Sequence, residues 1–141
     1  MDIKPTFGIA ELIFGMQPKD VEKVWGKPSE TFTDEDENII YIYNEKFSRL
    51  TFYQEEDNKL SLILCSSPEL KYKNKKVMHE QETIAVSVFS DLKNWTKDQE
   101  DITTIYFNED NWLYLQMEFN QVIKIEMGVV TKNIDEFDWK F

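Results

Sequence analysis

A chain of 141 residues with 41% hydrophobic and 14% aromatic residues can build a packed core, which excludes general disorder. Four Gly and four Pro exclude collagen-like and low-complexity architectures. Against 16 Lys plus Arg stand 27 Asp plus Glu, and the net charge of −11 disfavours nucleic acid and anionic membranes while suiting a basic partner.

Residues 9–14 are apolar and lean towards helix. Residues 15–28 carry a clearer helix signal, with Pro18 suited to a first turn and Val21, Val24 and Trp25 at i, i+3 and i+4. Gly26 and Pro28 end it. The acidic run Asp34, Glu35, Asp36, Glu37 reads as a solvated loop. Three strand patterns follow at 39–43, 47–54 and 60–65, the last two separated by the acidic turn Glu55, Glu56, Asp57. Short turns between them predict an antiparallel meander. Residues 68–81, with a lysine-rich patch at 71–76, read as a linker. Helical spacing returns from Glu82 to Trp95, then an acidic stretch with Asp98, Glu100 and Asp101 precedes strand patterns at 102–107, 112–119 and 122–129. Residues 131–141 form a tail.

The order helix, acidic loop and three strands thus occurs twice. It predicts a single α+β domain over 1–141, built from tandem αβββ repeats at 8–67 and 82–130. Helices would cover one face of an antiparallel sheet and leave an open aromatic face on the other. Strand alternation assigns Ile40, Ile42, Leu50, Phe52, Leu60, Leu62 and Leu64 to the covered face. Ile105, Phe107, Leu113, Leu115, Met117, Phe119, Ile123, Ile125 and Met127 join them. The opposite face then receives Tyr41, Tyr43, Phe47, Arg49, Tyr53, Tyr106, Trp112 and Tyr114. Rings with polar tips are the residue types of binding hot spots.

Gly15, Met16, Val21, Trp25, Gly26 and Pro28, followed by a three-strand meander, resemble the helix-loop-sheet module of β-lactamase-inhibitor proteins. Small outer-membrane-assembly lipoproteins share that module. The resemblance implies a tandem fold that grips a protein with a concave, aromatic-rich sheet face. The chain lacks the disulfide cysteines of the inhibitors and the lipidated cysteine of the lipoproteins. A cytoplasmic relative resembles bacterial immunity proteins, each specific for a cognate toxin.

Catalytic and metal signatures are sparse. The lone Cys65 and lone His79 cannot form a disulfide or a His/Cys metal cluster, and Cys65 has no basic neighbour to activate it. Asp34, Asp36, Asn38 and Glu45 match ligand positions of an EF-hand loop, but Ile39 stands where glycine is needed. No phosphate-binding glycine loop or Gly-x-Ser-x-Gly elbow is present. The first residues lack a signal-peptide pattern, and no apolar run reaches the roughly 20 residues of a membrane span. The sequence therefore predicts a cytoplasmic, non-enzymatic protein without cofactor, metal, nucleic-acid or membrane partner. Its expected role is to block the active site of a basic toxin, such as a nuclease. The aromatic residues would anchor the partner and the three acidic loops would steer it. The alternatives are a small-molecule-binding or regulatory sheet domain with Trp112, Tyr43 and Tyr106 lining a pocket, and an acidic nucleic-acid mimic.

Overall fold

A computed structural model describes residues 1–141. The chain opens with a hairpin of β1 (Ile3–Lys4) and β2 (Gly8–Ile9), followed by α1 (Pro18–Trp25). Then come β3 (Glu30–Thr33), β4 (Ile39–Tyr43), β5 (Ser48–Tyr53) and β6 (Lys59–Cys65). A second hairpin, β7 (Lys71–Tyr72) with β8 (Lys75–Lys76), leads to α2 (Glu82–Val88). β9 (Trp95–Glu100), β10 (Thr103–Asn108), β11 (Leu113–Glu118) and β12 (Gln121–Gly128) follow. A last hairpin pairs β13 (Thr131–Asn133) with β14 (Glu136–Phe137). No helix is long and apolar enough to cross a membrane.

Eight strands form one antiparallel sheet in the order β3-β4-β5-β6-β12-β11-β10-β9. The junction is β6 with β12, where Cys65 faces Ile125 and Ile63 faces Met127. The expected architecture of tandem αβββ repeats with helices on one face is corrected. The molecule is mostly antiparallel β, with two helices of only eight and seven residues. Residues expected to be loop or helix supply strands instead: β3 precedes the first acidic run, and Trp95 opens β9 rather than closing a helix. α2 ends early because its β-branched Thr83, Ile84, Val86 and Val88 favour helix weakly. Ile9 ends β2 and residues 10–14 form turns and irregular chain, not helix, with Ala10 in the left-handed region.

Most of the cover over the sheet is not helical. Ile3, Ile9, Leu12, Phe14 and Met16 pack there, with Val21 and Trp25 from α1 and Ala85 and Val88 from α2. Leu70, Tyr72, Val77 and Met78 join the same core, so residues 68–81 are packed structure and not a linker. α1 is the element the sequence marks best. Gln17 N–H donates to the Asp20 carboxylate at 3.0 Å, Pro18 fills the first turn, and Gly26 leaves at φ 78°. Val24, expected on its buried stripe, is exposed.

Directly paired residues on neighbouring strands share a face, so the register sorts the sheet. One row crosses it as Tyr41, Leu50, Ile63, Met127, Leu113, Asn108 and Trp95, and this row is covered. The adjacent row runs Glu30, Ile42, Arg49, Leu64, Glu126, Tyr114, Phe107 and Thr96, and this row is open. Leu50, Phe52, Leu60, Leu113, Leu115, Met117, Ile125 and Met127 occupy the covered face as expected. Ile42, Leu62, Leu64, Ile105 and Phe107 lie on the other face, as does Ile40, which is nevertheless fully buried as expected, while Phe119 is 74% exposed in a turn. Bulges between Thr51 and Phe52 and between Gln116 and Met117 shift the alternation within single strands or their partners, which no fixed period of two can follow.

Candidate functional site

Three tyrosines expected on the open face, Tyr41, Tyr43 and Tyr106, belong to the covered side and leave the candidate site. The Tyr41 hydroxyl donates to the Glu22 carboxylate of α1 at 2.8 Å, and the Tyr43 hydroxyl to the Gly26 carbonyl at 2.8 Å. Tyr106 donates to Glu82 of α2, which also pairs with Lys97 at 2.7 Å. Burial pushes the Tyr41 and Tyr43 hydroxyls up to about 12. Alternation shows which residues share a face, not which face is covered. A Tyr can line a core when a carboxylate or a helix end accepts its proton.

The open face is nonetheless aliphatic and aromatic, from other residues. Ile42, Leu62, Leu64, Ile105, Phe107 and Tyr114 are half-buried along its middle, and Phe32 on the edge strand β3 is 46% exposed. Arg49 sits over the Phe32 ring at 5.7 Å. Phe107 and Tyr114 stack at 4.2 Å between centroids, and Trp112 meets Phe107 edge-on at 5.2 Å. A shallow basin of about 320 Å³ runs over Leu64, Ile105, Tyr114, Gln116, Lys124 and Glu126.

Trp112 is placed by backbone chemistry. The turn Glu109–Asn111 ends with Trp112 at φ 46°, a conformation that costs a non-glycine residue roughly 1–2 kcal/mol. Asn108 holds the turn by accepting from Asn111 N–H at 3.1 Å. The indole then lies against Gly128: a Cβ there would stand 2.2 Å from Trp112 Cδ1. Trp112 is 37% exposed, and its indole N–H has no acceptor in the chain. Beside it opens a groove of about 500 Å³ lined by Tyr53, Leu62, Phe137, Thr131, Glu109 and Asp110 among others. Tyr53 and Phe137 lie 6.2 Å apart, centroid to centroid.

The acidic loops divide between the two ends of the sheet. Strand directions put the β3–β4 turn, with Asp34 to Glu37, at the end that also carries the β5–β6 turn and Trp112. The β9–β10 turn, with Asp98, Glu100 and Asp101, lies at the opposite end, as does the exposed Phe47. Asp34 accepts from Asp36 N–H and Asn38 N–H, both at 2.9 Å, so it closes its own turn, and the Asn38 bond holds its carboxyl below the usual range. Asp57 is tied to Gln17 at 3.1 Å, while Glu35, Asp36, Glu37 and Glu55 remain exposed. Cys65 is buried beside Ser48, whose hydroxyl lies 3.3 Å from the thiol, and burial pushes that thiol up.

Of the expected anchors, the structure therefore brings Arg49, Tyr114, Trp112 and Tyr53 to the open side and its groove. Sequence reasoning missed Phe32, Ile42, Leu62, Leu64, Phe107, Asp110 and Gly128. One signal was available: a lone glycine closing a strand pattern marks close approach by another group.

No protein-family profile matches the chain, and no curated protein sequence matches it. Among solved structures, the chain is similar to an extracellular protein containing an SCP domain from Bacillus anthracis. The likeness has 12% identity and a TM-score of 0.57, over 81% of this chain and 43% of that one. A cysteine-rich secretory protein from Staphylococcus aureus aligns with 12% identity and a TM-score of 0.49, over 81% and 44%. The chain spans less than half the length of either structure, and the first likeness concerns the fold alone.

Proposed function

We propose that this chain is a non-enzymatic binding protein whose open sheet face docks a basic protein partner, as an immunity-type inhibitor blocks a basic toxin. The supporting observation is the contrast between the faces of the sheet: one is covered across its central strands, while the other leaves Phe32, Trp112, Phe107 and Tyr114 accessible beside carboxylate-rich turns. Apolar rings desolvated by a partner supply affinity, and the net charge of −11 steers a cation-rich surface towards them. The toxin partner rests on that charge and on the resemblance to inhibitor modules. A cytoplasmic setting completes the proposal, resting on the single Cys65 and the absence of any disulfide. The pocket of Trp112, Tyr43 and Tyr106 has no place in it, because Tyr43 and Tyr106 face away from Trp112.

The test is a matched pair of baits in a cell lysate. One carries Ile42→Glu and Tyr114→Glu on the open face; the other carries Val24→Glu and Ile84→Glu on exposed helix positions. The expected result is a basic protein retained by wild type and by the helix variant, lost from the open-face variant, and inhibited in its own activity by the purified chain. An acidic partner, or one retained equally by both variants, would overturn the reading.

A further inference from the structure

We infer that the groove beside Trp112 seats an arginine side chain of the protein partner, an assignment that rests on the open face being the docking surface. Its volume of about 500 Å³ lies within the size range of specific ligand sites. Its charged lining is Glu109 and Asp110, with no Lys or Arg. Neither carboxylate is in an ion pair: the four in the chain engage Asp91, Glu82, Glu136 and Asp138. Asp110 receives one neutral bond, from Asn94 at 3.1 Å, and keeps its negative charge unmatched. The aromatic lining is Trp112, Tyr53 and Phe137. Rings beside unpaired carboxylates form the chemistry that recognises a cation.

Arginine fits better than lysine. A planar guanidinium stacks on an indole and still presents N–H groups in its plane to a carboxylate, whereas an ammonium is a compact, strongly hydrated point charge. The left-handed backbone of Trp112 and its packing against Gly128 and Phe107 place the indole before any ligand arrives. A protein segment, and not a free cation, is the occupant because the groove continues into the open face. Leu62, which lines it, lies two residues along β6 from Leu64 on that face, and Trp112 meets Phe107 there edge-on.

The experiment follows nitrogen-labelled full-length chain by NMR during titration with acetyl-Gly-Arg-Gly-amide, its citrulline counterpart and its lysine counterpart. The arginine peptide is expected to shift the Trp112 indole and Gly128 amide signals saturably, with the neutral citrulline peptide binding about fivefold more weakly or worse. Asp110→Asn, which keeps the acceptor for Asn94, is expected to weaken the arginine peptide similarly at unchanged melting temperature. Equal affinity for citrulline or lysine, shifts confined elsewhere, or no shift at all would overturn the assignment. The two proposals fail separately. A basic protein that depends on the open face while the peptide ignores Trp112 removes only the arginine seat. Peptide binding at Trp112 with no basic protein dependent on the open face removes the proposed function and leaves the seat.

Discussion

The two faces of the sheet treat their aromatic residues differently. On the covered side, the hydroxyls of Tyr41, Tyr43, Tyr72 and Tyr106 donate to Glu22, Gly26, Asp91 and Glu82, and the Trp25 and Trp95 indoles donate to Glu11 and Phe89. On the open side, Tyr53, Tyr114 and Trp112 pack ring against ring, with no acceptor in the chain for their polar tips. Buried polar groups must be paired within the fold; groups left for water or a partner need not be. Hydrogen-bond pairing therefore separates the aromatics that build this fold from those it leaves free, where residue type does not.

The largest effect should come from truncating one leucine on each face. Leu50 is fully buried beneath the cover, and Leu50→Ala is expected to cost about 2–5 kcal/mol in denaturant unfolding. Leu64→Ala, one row away on the open face, should cost clearly less; equal losses would erase the distinction. Next comes Gly128→Ala. Its methyl would overlap the Trp112 indole, an overpacking of about 1–3 kcal/mol, with a matching change in Trp fluorescence. Deleting single hydroxyls gives a smaller contrast. Tyr43→Phe removes the bond to Gly26 and should cost about 1 kcal/mol, while Tyr114→Phe should leave the melting temperature unchanged. The last contrast is in pH dependence. Tyr41 and Tyr43 hold their protons to about 12 in the folded protein against 10 when unfolded, so the folded state binds more protons between those values. Their contribution is full below 10 and is lost as pH rises towards 12. Tyr41→Phe with Tyr43→Phe should flatten that decline in thermal melts.

The sequence carried α1 almost completely, because Pro18, Gly26 and Pro28 are local signals that act whatever packs nearby. It also carried most strands and their antiparallel pairing, through short turns and alternation. It did not carry β3 or β9, whose exposed polar residues look like loop until a neighbouring strand pairs with them. Face assignment failed at β4 and β10 for a related reason. There both faces carry large side chains, Ile40 and Ile42 against Tyr41 and Tyr43, and only the arrival of Glu22 and Gly26 from α1 decides which set faces the helix. Asp110 read as one acid among many. What singles it out is the seat of the Trp112 indole against Gly128, sixteen residues further along the chain.

The central claim is that the open face, and not the helix side, meets the partner. Its most direct test is a chemical-shift map of the labelled chain titrated with the basic protein captured by the baits. The account predicts changes at Ile42, Leu62, Leu64, Phe107, Trp112 and Tyr114, with the exposed helix residues Val24, Ile84 and Val86 unmoved. Changes centred on Val24, Ile84 and Val86, with the open face silent, would contradict it.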